Sequence, residues 1–373
     1  MTVRNVLVVG GGFTGLTAAI ALAQRGVTAT VAERVPQWLP VGHGITVQGN
    51  ALKVFREIGV LDRMLERGQG FSTLALCHAD GHVLELLDTP HTGGEDLPST
   101  MGALRPDLHA ALVERAAEVG VRLRMGTELL SFEDHGDSVS TLLSDGSTES
   151  WDVVIAADGI KSSTRPKLGI PEDRAPSGMG IWRVVTARAP EMSPSAVYYH
   201  GPQYKAGYTV ISDTQCYAYV LTDPERPENG LSDAAEMRRL LEGYHGAFDR
   251  IRESISEDDY LNFQPIEWLF VEGPWHRGRV IAIGDAVHAC PPLIAQGAAQ
   301  CVEDARLLAE YLTAADTDLE SQFRAFEARR KPRVRGVVDA SMQLVDWELH
   351  PDTPGADPGA LMGSSLAALT VAA

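Results

Sequence analysis

Arg4-Asn-Val-Leu-Val-Val-Gly-Gly-Gly-Phe-Thr-Gly-Leu-Thr-Ala-Ala-Ile-Ala-Leu-Ala-Gln-Arg-Gly26 reads as a strand, a glycine turn and a helix. Val6 to Val9 is an unbroken apolar run, the pattern of a strand covered on both faces. Gly10, Gly12 and Gly15 follow as G-x-G-x-x-G. The first glycine allows the tight turn, the second lets backbone approach a pyrophosphate, and the third lets the helix pack on the strand. Phe13 and Thr14 sit inside the turn, where free N–H groups and a partial positive charge meet the phosphates. A second strand, Thr28 to Ala32, ends in Glu33-Arg34. Glu33 stands near the spacing of about 20 residues at which an acid takes an adenosine ribose. Together these elements predict a dinucleotide site and leave the identity of the dinucleotide open.

Outward from this turn, the chain has 373 residues, 44% of them hydrophobic. That suits one large or two medium domains with a substantial core. The net charge of −18 argues against nucleic acid or an anionic membrane as partner. Cys77, Cys216, Cys290 and Cys301 have no metal-type spacing, which points to a reducing cytoplasm and no metal. Neither a signal peptide nor a membrane span is expected.

After Glu33, Gly42-His-Gly-Ile45 places two glycines where backbone passes close to a ligand. Helices are expected over 51–58 and 104–120, and a hairpin over 71–85 turning at Ala79-Asp-Gly81. Trp151 to Ala157 is a buried strand running into Asp158-Gly159. From about Pro171 to Pro274 the chain turns strand-rich and aromatic, with one amphipathic helix near 234–244. This stretch predicts an inserted, mostly antiparallel sheet with one face toward a ligand. Val280 to Ile283 is another buried strand ending in Gly284-Asp285. Pro291-Pro292 and Ala295-Gln-Gly297 then open a helix running to about Ala314, and a last helix spans 319–349.

The ordered set of Gly10–Gly15 with Glu33, Asp158-Gly159, and Gly284-Asp285 with Pro292 and Gln296-Gly297 resembles the FAD-dependent aromatic hydroxylases. These are flavoprotein monooxygenases of the p-hydroxybenzoate hydroxylase fold. Gly42-His-Gly-Ile45 and Ala295-Gln-Gly297 resemble the branch acting on salicylate, hydroxynicotinate and methylhydroxypyridine carboxylate. The resemblance implies an α/β fold: a Rossmann-like FAD-binding domain (residues 1–70, 101–170 and 275–350) with an inserted antiparallel-sheet substrate domain (71–100 and 171–274). Residues 351–373 are expected to form a flexible tail.

The same resemblance implies residue roles. Gly10, Gly12 and Gly15 hold the FAD pyrophosphate, with Phe13 and Thr14 beside them, and Glu33 and Arg34 meet the adenosine end. Gly44 and Ile45 run beside the flavin. Arg105 reaches the phosphates and ribityl chain, Asp158 and Gly159 touch FAD or NAD(P)H, and Gly284 and Asp285 take the ribityl hydroxyls. Gln296, Gly297 and Ala298 present backbone N–H groups to the pyrimidine edge. Donors aimed there stabilise the negative charge of reduced flavin.

The implied reaction uses tightly bound FAD, NAD(P)H as transient co-substrate and O2. A peroxyflavin then hydroxylates a small phenolic or N-heteroaromatic ring. Deprotonating a ring hydroxyl calls for a base near working pH. His43, His200, Tyr198, Tyr208, Tyr217 and Tyr219 are the candidates, with Pro292 walling the pocket. His43 stands where the family has a small residue. It can be a base, a covalent tether to flavin, or a side chain turned away. For each tyrosine, sheet packing is the plainer alternative. Arg183 can anchor a substrate carboxylate or form a surface pair. A related epoxidase, halogenase or dehydrogenase, or a non-catalytic flavin-fold binding protein, are the competing functions. No W-x-W-x-I-P halogenase motif is present. A monomer or homodimer is expected.

Overall fold

In a computed structural model, which describes residues 3–38, 42–314 and 318–373, the opening strand Asn5–Val9 lies inside a six-stranded sheet. The strand order is His276–Arg277, Val280–Ala282, Val153–Ala156, Asn5–Val9, Thr28–Glu33 and Arg122–Met125. All neighbours are parallel except the first pair. Val6, Leu7 and Val8 are fully buried, because helices cover both faces of a parallel sheet. This register brings the C-terminal ends of Asn5–Val9, Val153–Ala156 and Val280–Ala282 to one edge. The three motifs Gly10–Gly15, Asp158-Gly159 and Gly284-Asp285 follow those ends, so strands distant in sequence deliver them to one crevice.

An eight-stranded sheet forms the second layer. Its order is His288–Ala289, Leu261–Phe270, Ala175–Ala187, Gln215–Thr222, Lys205–Val210, Ser195–Tyr199, Thr73–His78 and Val83–Asp88. Neighbours are antiparallel except Ser195–Tyr199 with Thr73–His78. Side chains alternate between its faces. Cys216, Ala218 and Val220 pack into a core with the helices Asp233–Leu240 and Ala247–Ser254, whereas Tyr217, Tyr219 and Leu221 face a cavity. The helix expected near 234–244 is present as Asp233–Leu240, and a second one, Ala247–Ser254, follows it. Gly243 and Gly246 adopt positive φ (87° and 69°) and break the run between them.

A small sheet of Gly44–Gln48, Thr100–Leu104 and Gly68–Phe71 lies over the eight-stranded one. Two glycines set their approach. A Cβ on Gly44 would fall 2.2 Å from Tyr217 Cβ, and one on Gly102 would fall 2.3 Å from the Val210 carbonyl oxygen.

The expectation of a flexible tail needs correction. Pro358–Ala368 is a helix, capped by Asp357 accepting from the Ala360 N–H, and it packs against the long helix Leu319–Leu349. Leu366 and Leu369 are buried, so the small residues around them form a helix with an apolar anchor. Among the described residues no helix is long and apolar enough to cross a membrane.

Candidate active site

Each glycine of the turn meets a different constraint. Gly10 has φ +101°, and a Cβ there would meet the Ala157 carbonyl oxygen at 2.5 Å. A Cβ on Gly15 would fall 1.9 Å from the Gly10 carbonyl oxygen, so strand and helix touch there. A Cβ on Gly12 would meet nothing within 4 Å. The middle glycine therefore faces open space at the start of Phe13–Ala23, whose first turn carries no acid and no side-chain cap. Uncapped N–H groups at a helix start can receive an anion. Phe13 is buried beneath the Arg105 guanidinium, 5.4 Å from the ring centroid, and Thr14 packs against Gly284.

Glu33 braces the glycine turn from the end of the second strand. Its Oε2 accepts from the Gly11 N–H at 2.7 Å and its Oε1 from the Val35 N–H at 3.0 Å. Each oxygen keeps a second lone pair for a ribose hydroxyl. Arg34 is exposed. Sequence reasoning missed His109, which bonds the Gly11 carbonyl oxygen through Nε2 at 2.7 Å and meets the Trp38 ring edge-on at 4.5 Å. The available signal was its position four residues after Arg105, on the same helix face.

Asp158 accepts through Oδ2 from the Ser163 and Thr164 N–H groups, capping the turn after its strand. Among the described residues its buried Oδ1 has no partner, and a Cβ on Gly159 would meet nothing within 4 Å. An unpartnered buried oxygen is costly without a ligand to satisfy it. Across the crevice, the Asp285 carboxyl is raised by burial and drawn back by nearby charges that include Arg105. Together with the open space at Gly12, these features fit FAD as the bound cofactor.

The helix Gly297–Thr313 starts at the cavity with no side-chain cap and no acid in its first turn. Ala295 holds φ +51°, a left-handed conformation uncommon for a residue with a Cβ, and it aims the helix start. The Gln296 side chain is turned inward. It is fully buried, accepts from Asn50 Nδ2 and Gln300 Nε2, and leaves only its backbone for a ligand.

Behind this helix lies a charged network that sequence reasoning did not find. Asp304 accepts from the Gly284 N–H (3.0 Å), His288 Nε2 (2.6 Å) and Arg330 Nε (2.6 Å). Arg330 also donates to Glu303 and Gln300, and Arg333 to Glu303. Burial alone would raise the Asp304 carboxyl, but the charges of His288 and Arg330 outweigh it and hold the group down at about 2. The network ties the Gly284 turn to the Gly297 helix.

The FAD binding domain family matches residues 4–341. The chain belongs to the FAD-dependent aromatic hydroxylases. This hydroxylase is 31% identical to YetM of Bacillus subtilis, a protein named as an FAD-dependent monooxygenase, over 98% of this chain and 99% of that one. It is also 31% identical to the 2-heptyl-3-hydroxy-4(1H)-quinolone synthase of Pseudomonas aeruginosa, over 92% of this chain and 90% of that one. In fold it resembles Klebsiella pneumoniae HpxO, solved with FAD, at a TM-score of 0.81 and 23% identity over 98% of this chain and 94% of that one. The hydroxylase is a flavoprotein monooxygenase with FAD as cofactor.

Its cavity, about 280 Å³, lies between the Gly297 helix and the large sheet. His43, Gly44, Ile45, Tyr217, Tyr219, Pro292, Gly297 and Ala298 all line it, as does Arg183. His43 bonds the Gly44 carbonyl oxygen through Nδ1 at 2.7 Å, so Nδ1 carries the proton and Nε2 is left as an acceptor. Burial, with the nearby Arg183 charge, lowers its pKa to about 4, and the ring is neutral at pH 7.

Three sequence expectations need correction. His200 is exposed, at φ 59°, beside His78, and is not on the cavity wall. Tyr198 and Tyr208 pack around Phe248 in the outer core; alternation along the strand gives the cavity Tyr199 instead. Burial raises the pKa of Tyr217 and Tyr219, so both hydroxyls keep their protons and neither suits a base at neutral pH.

Proposed function

We propose that this flavoprotein hydroxylates a small phenolic or N-heteroaromatic ring, taking electrons from NAD(P)H and one oxygen atom from O2. One observation carries the reading. A largely apolar cavity has a bare helix N-terminus on one side and His43, Arg183 and Tyr217 on the other. That arrangement holds a flat ring against a flavin edge and presents polar groups to its substituents.

In this reading Gly10, Gly12 and Gly15 receive the FAD pyrophosphate, Glu33 the adenosine ribose, and Asp285 with Arg105 the ribityl and phosphate region. Bound FAD supplies the electron transfer and oxygen activation. The Gly297 and Ala298 N–H groups face the pyrimidine edge, where fixed donors favour the reduced, negatively charged form. Arg183 takes an anionic oxygen of the substrate. Its partners Asn262 and Gln264 are neutral amides, at 3.3 and 3.2 Å, and among the described residues no carboxylate pairs with it. A guanidinium there favours the ionised ring hydroxyl. His43 Nε2 accepts a hydrogen bond from the substrate. Ile45 and Pro292 keep water from the reacting face.

The test is oxidation of NADH or NADPH by the FAD-loaded protein, with and without hydroxybenzoates, hydroxypyridines and hydroxyquinolines, and with product mass recorded. Stimulated oxidation with the gain of one oxygen atom is expected. Oxidation that no ring stimulates, with no oxygenated product, would overturn the proposal.

A further inference from the structure

In the proposed reading the flavin edge lies against Gly297 and Ala298 in this cavity, and the room beyond that edge extends along the large sheet. This room follows the strand Gln215–Thr222. Tyr217 sits near His43, Tyr219 pairs across the sheet with Arg183, and Leu221 pairs with Ile181 on one side and Lys205 on the other. From Tyr217 to Leu221 the strand advances about 13 Å, at ~3.3 Å per residue.

The two ends differ in chemistry. The Tyr217 end has His43 and Arg183. At the Leu221 end, Ile181, Leu221 and Leu293 meet Met362 and Leu366 of the C-terminal helix. Lys205 lies at this end too, but it is buried, paired with Glu348, and 5.2 Å from the Tyr199 ring centroid. Its charge is matched, so nothing there selects an anion. The helix carrying Met362 and Leu366 is held by Arg333, which donates to the Leu369 and Val371 carbonyl oxygens while bridging to Glu303.

We propose that this end is a second, apolar subsite, closed by Met362 and Leu366. It takes an alkyl or aryl substituent of a substrate whose oxygenated ring lies at the His43 end. The proposal rests on the aromatic hydroxylase reading and narrows the substrate to rings bearing an apolar extension.

The probes are phenol, 4-ethylphenol, 4-butylphenol and 4-hexylphenol, titrated into the FAD-loaded protein and followed by the flavin absorbance change. Each methylene entering an apolar site is worth about fourfold in affinity. The 4-butylphenol to phenol affinity ratio is therefore expected to reach at least about tenfold. Leu366→Trp fills the subsite and should bring that ratio near one. Met362→Ala lengthens it and should raise the 4-hexylphenol to phenol ratio. A ratio near one in the wild type, ratios unmoved by both variants, or no binding by the whole series would each overturn the subsite. Product mass separates the two readings. A steep ratio without oxygen gain sinks the hydroxylase reading and leaves the subsite, while oxygen gain with a flat ratio does the reverse.

Discussion

Asp304→Asn tests whether the buried network holds the flavin crevice together. Two Asp304 oxygens receive three donors: the Gly284 N–H, His288 Nε2 and Arg330 Nε. Asparagine offers one acceptor oxygen and turns an NH2 group toward the remaining donors. At least one buried donor loses its partner, and Arg330 loses one of two carboxylates. Removing one partner of a buried ion pair costs about 3–5 kcal/mol. Glu303 still holds Arg330, so the lower end, about 3 kcal/mol, is expected. Urea unfolding would measure it, with Trp275, whose ring centroid lies 5.4 Å from His288, among the fluorescent reporters. Asp339→Asn is the control. Its partner Arg335 is exposed, and the loss there should stay below about 0.5 kcal/mol. The pH dependence has a definite sign. The Asp304 pKa is depressed from 3.8 to about 2, so its contribution is present above pH 4 and lost as pH falls through about 2. The gap between wild type and variant should narrow over that window. A loss under about 1 kcal/mol at pH 7, or one equal to the control's, would refute the reasoning.

Further outcomes follow from single contacts. Gly12→Ala should unfold like the wild type without FAD, within about 0.5 kcal/mol, yet bind FAD at least tenfold more weakly, because its methyl group enters space only the cofactor needs. Gly15→Ala should destabilise even the FAD-free protein by about 1–3 kcal/mol through overpacking against Gly10, read by the same unfolding assay. His43 is lowered from 6.5 to about 4, so the unfolded chain binds more protons between those values and stability rises with pH across them; His43→Gln should flatten that rise in a series of unfolding curves. Arg183→Met should raise the KM for a phenolate or carboxylate substrate by about 10- to 100-fold, the worth of one hydrogen bond to a charged group.

Much of the crevice was legible because its signals are local. Gly10, Gly12 and Gly15 each serve a backbone need that no other residue type meets as well, and such needs show as letters at fixed spacing. Buried parallel strands likewise show as apolar runs, so Val6–Val9, Val153–Ala156 and Val280–Ile283 could be placed without coordinates. Site chemistry was less legible. Tyr198 and Tyr199 are neighbours in sequence but lie on opposite faces of one strand, and only the sheet's pairing decides which meets the cavity. His200, one residue later, leaves the strand altogether.

The linear chain by itself determined the separate motifs of the cofactor crevice, since each strand end, turn and helix start is written within a few residues; the pairing of distant strands brings the three together. Tertiary structure alone decided the network of Asp304, His288 and Arg330, and the closure of the cavity by Met362 and Leu366. Neither has a local signature. A buried charge is tolerated only where distant partners converge on it, and two apolar residues in a small-residue tail become a wall only when a sheet formed far earlier in the chain lies opposite them.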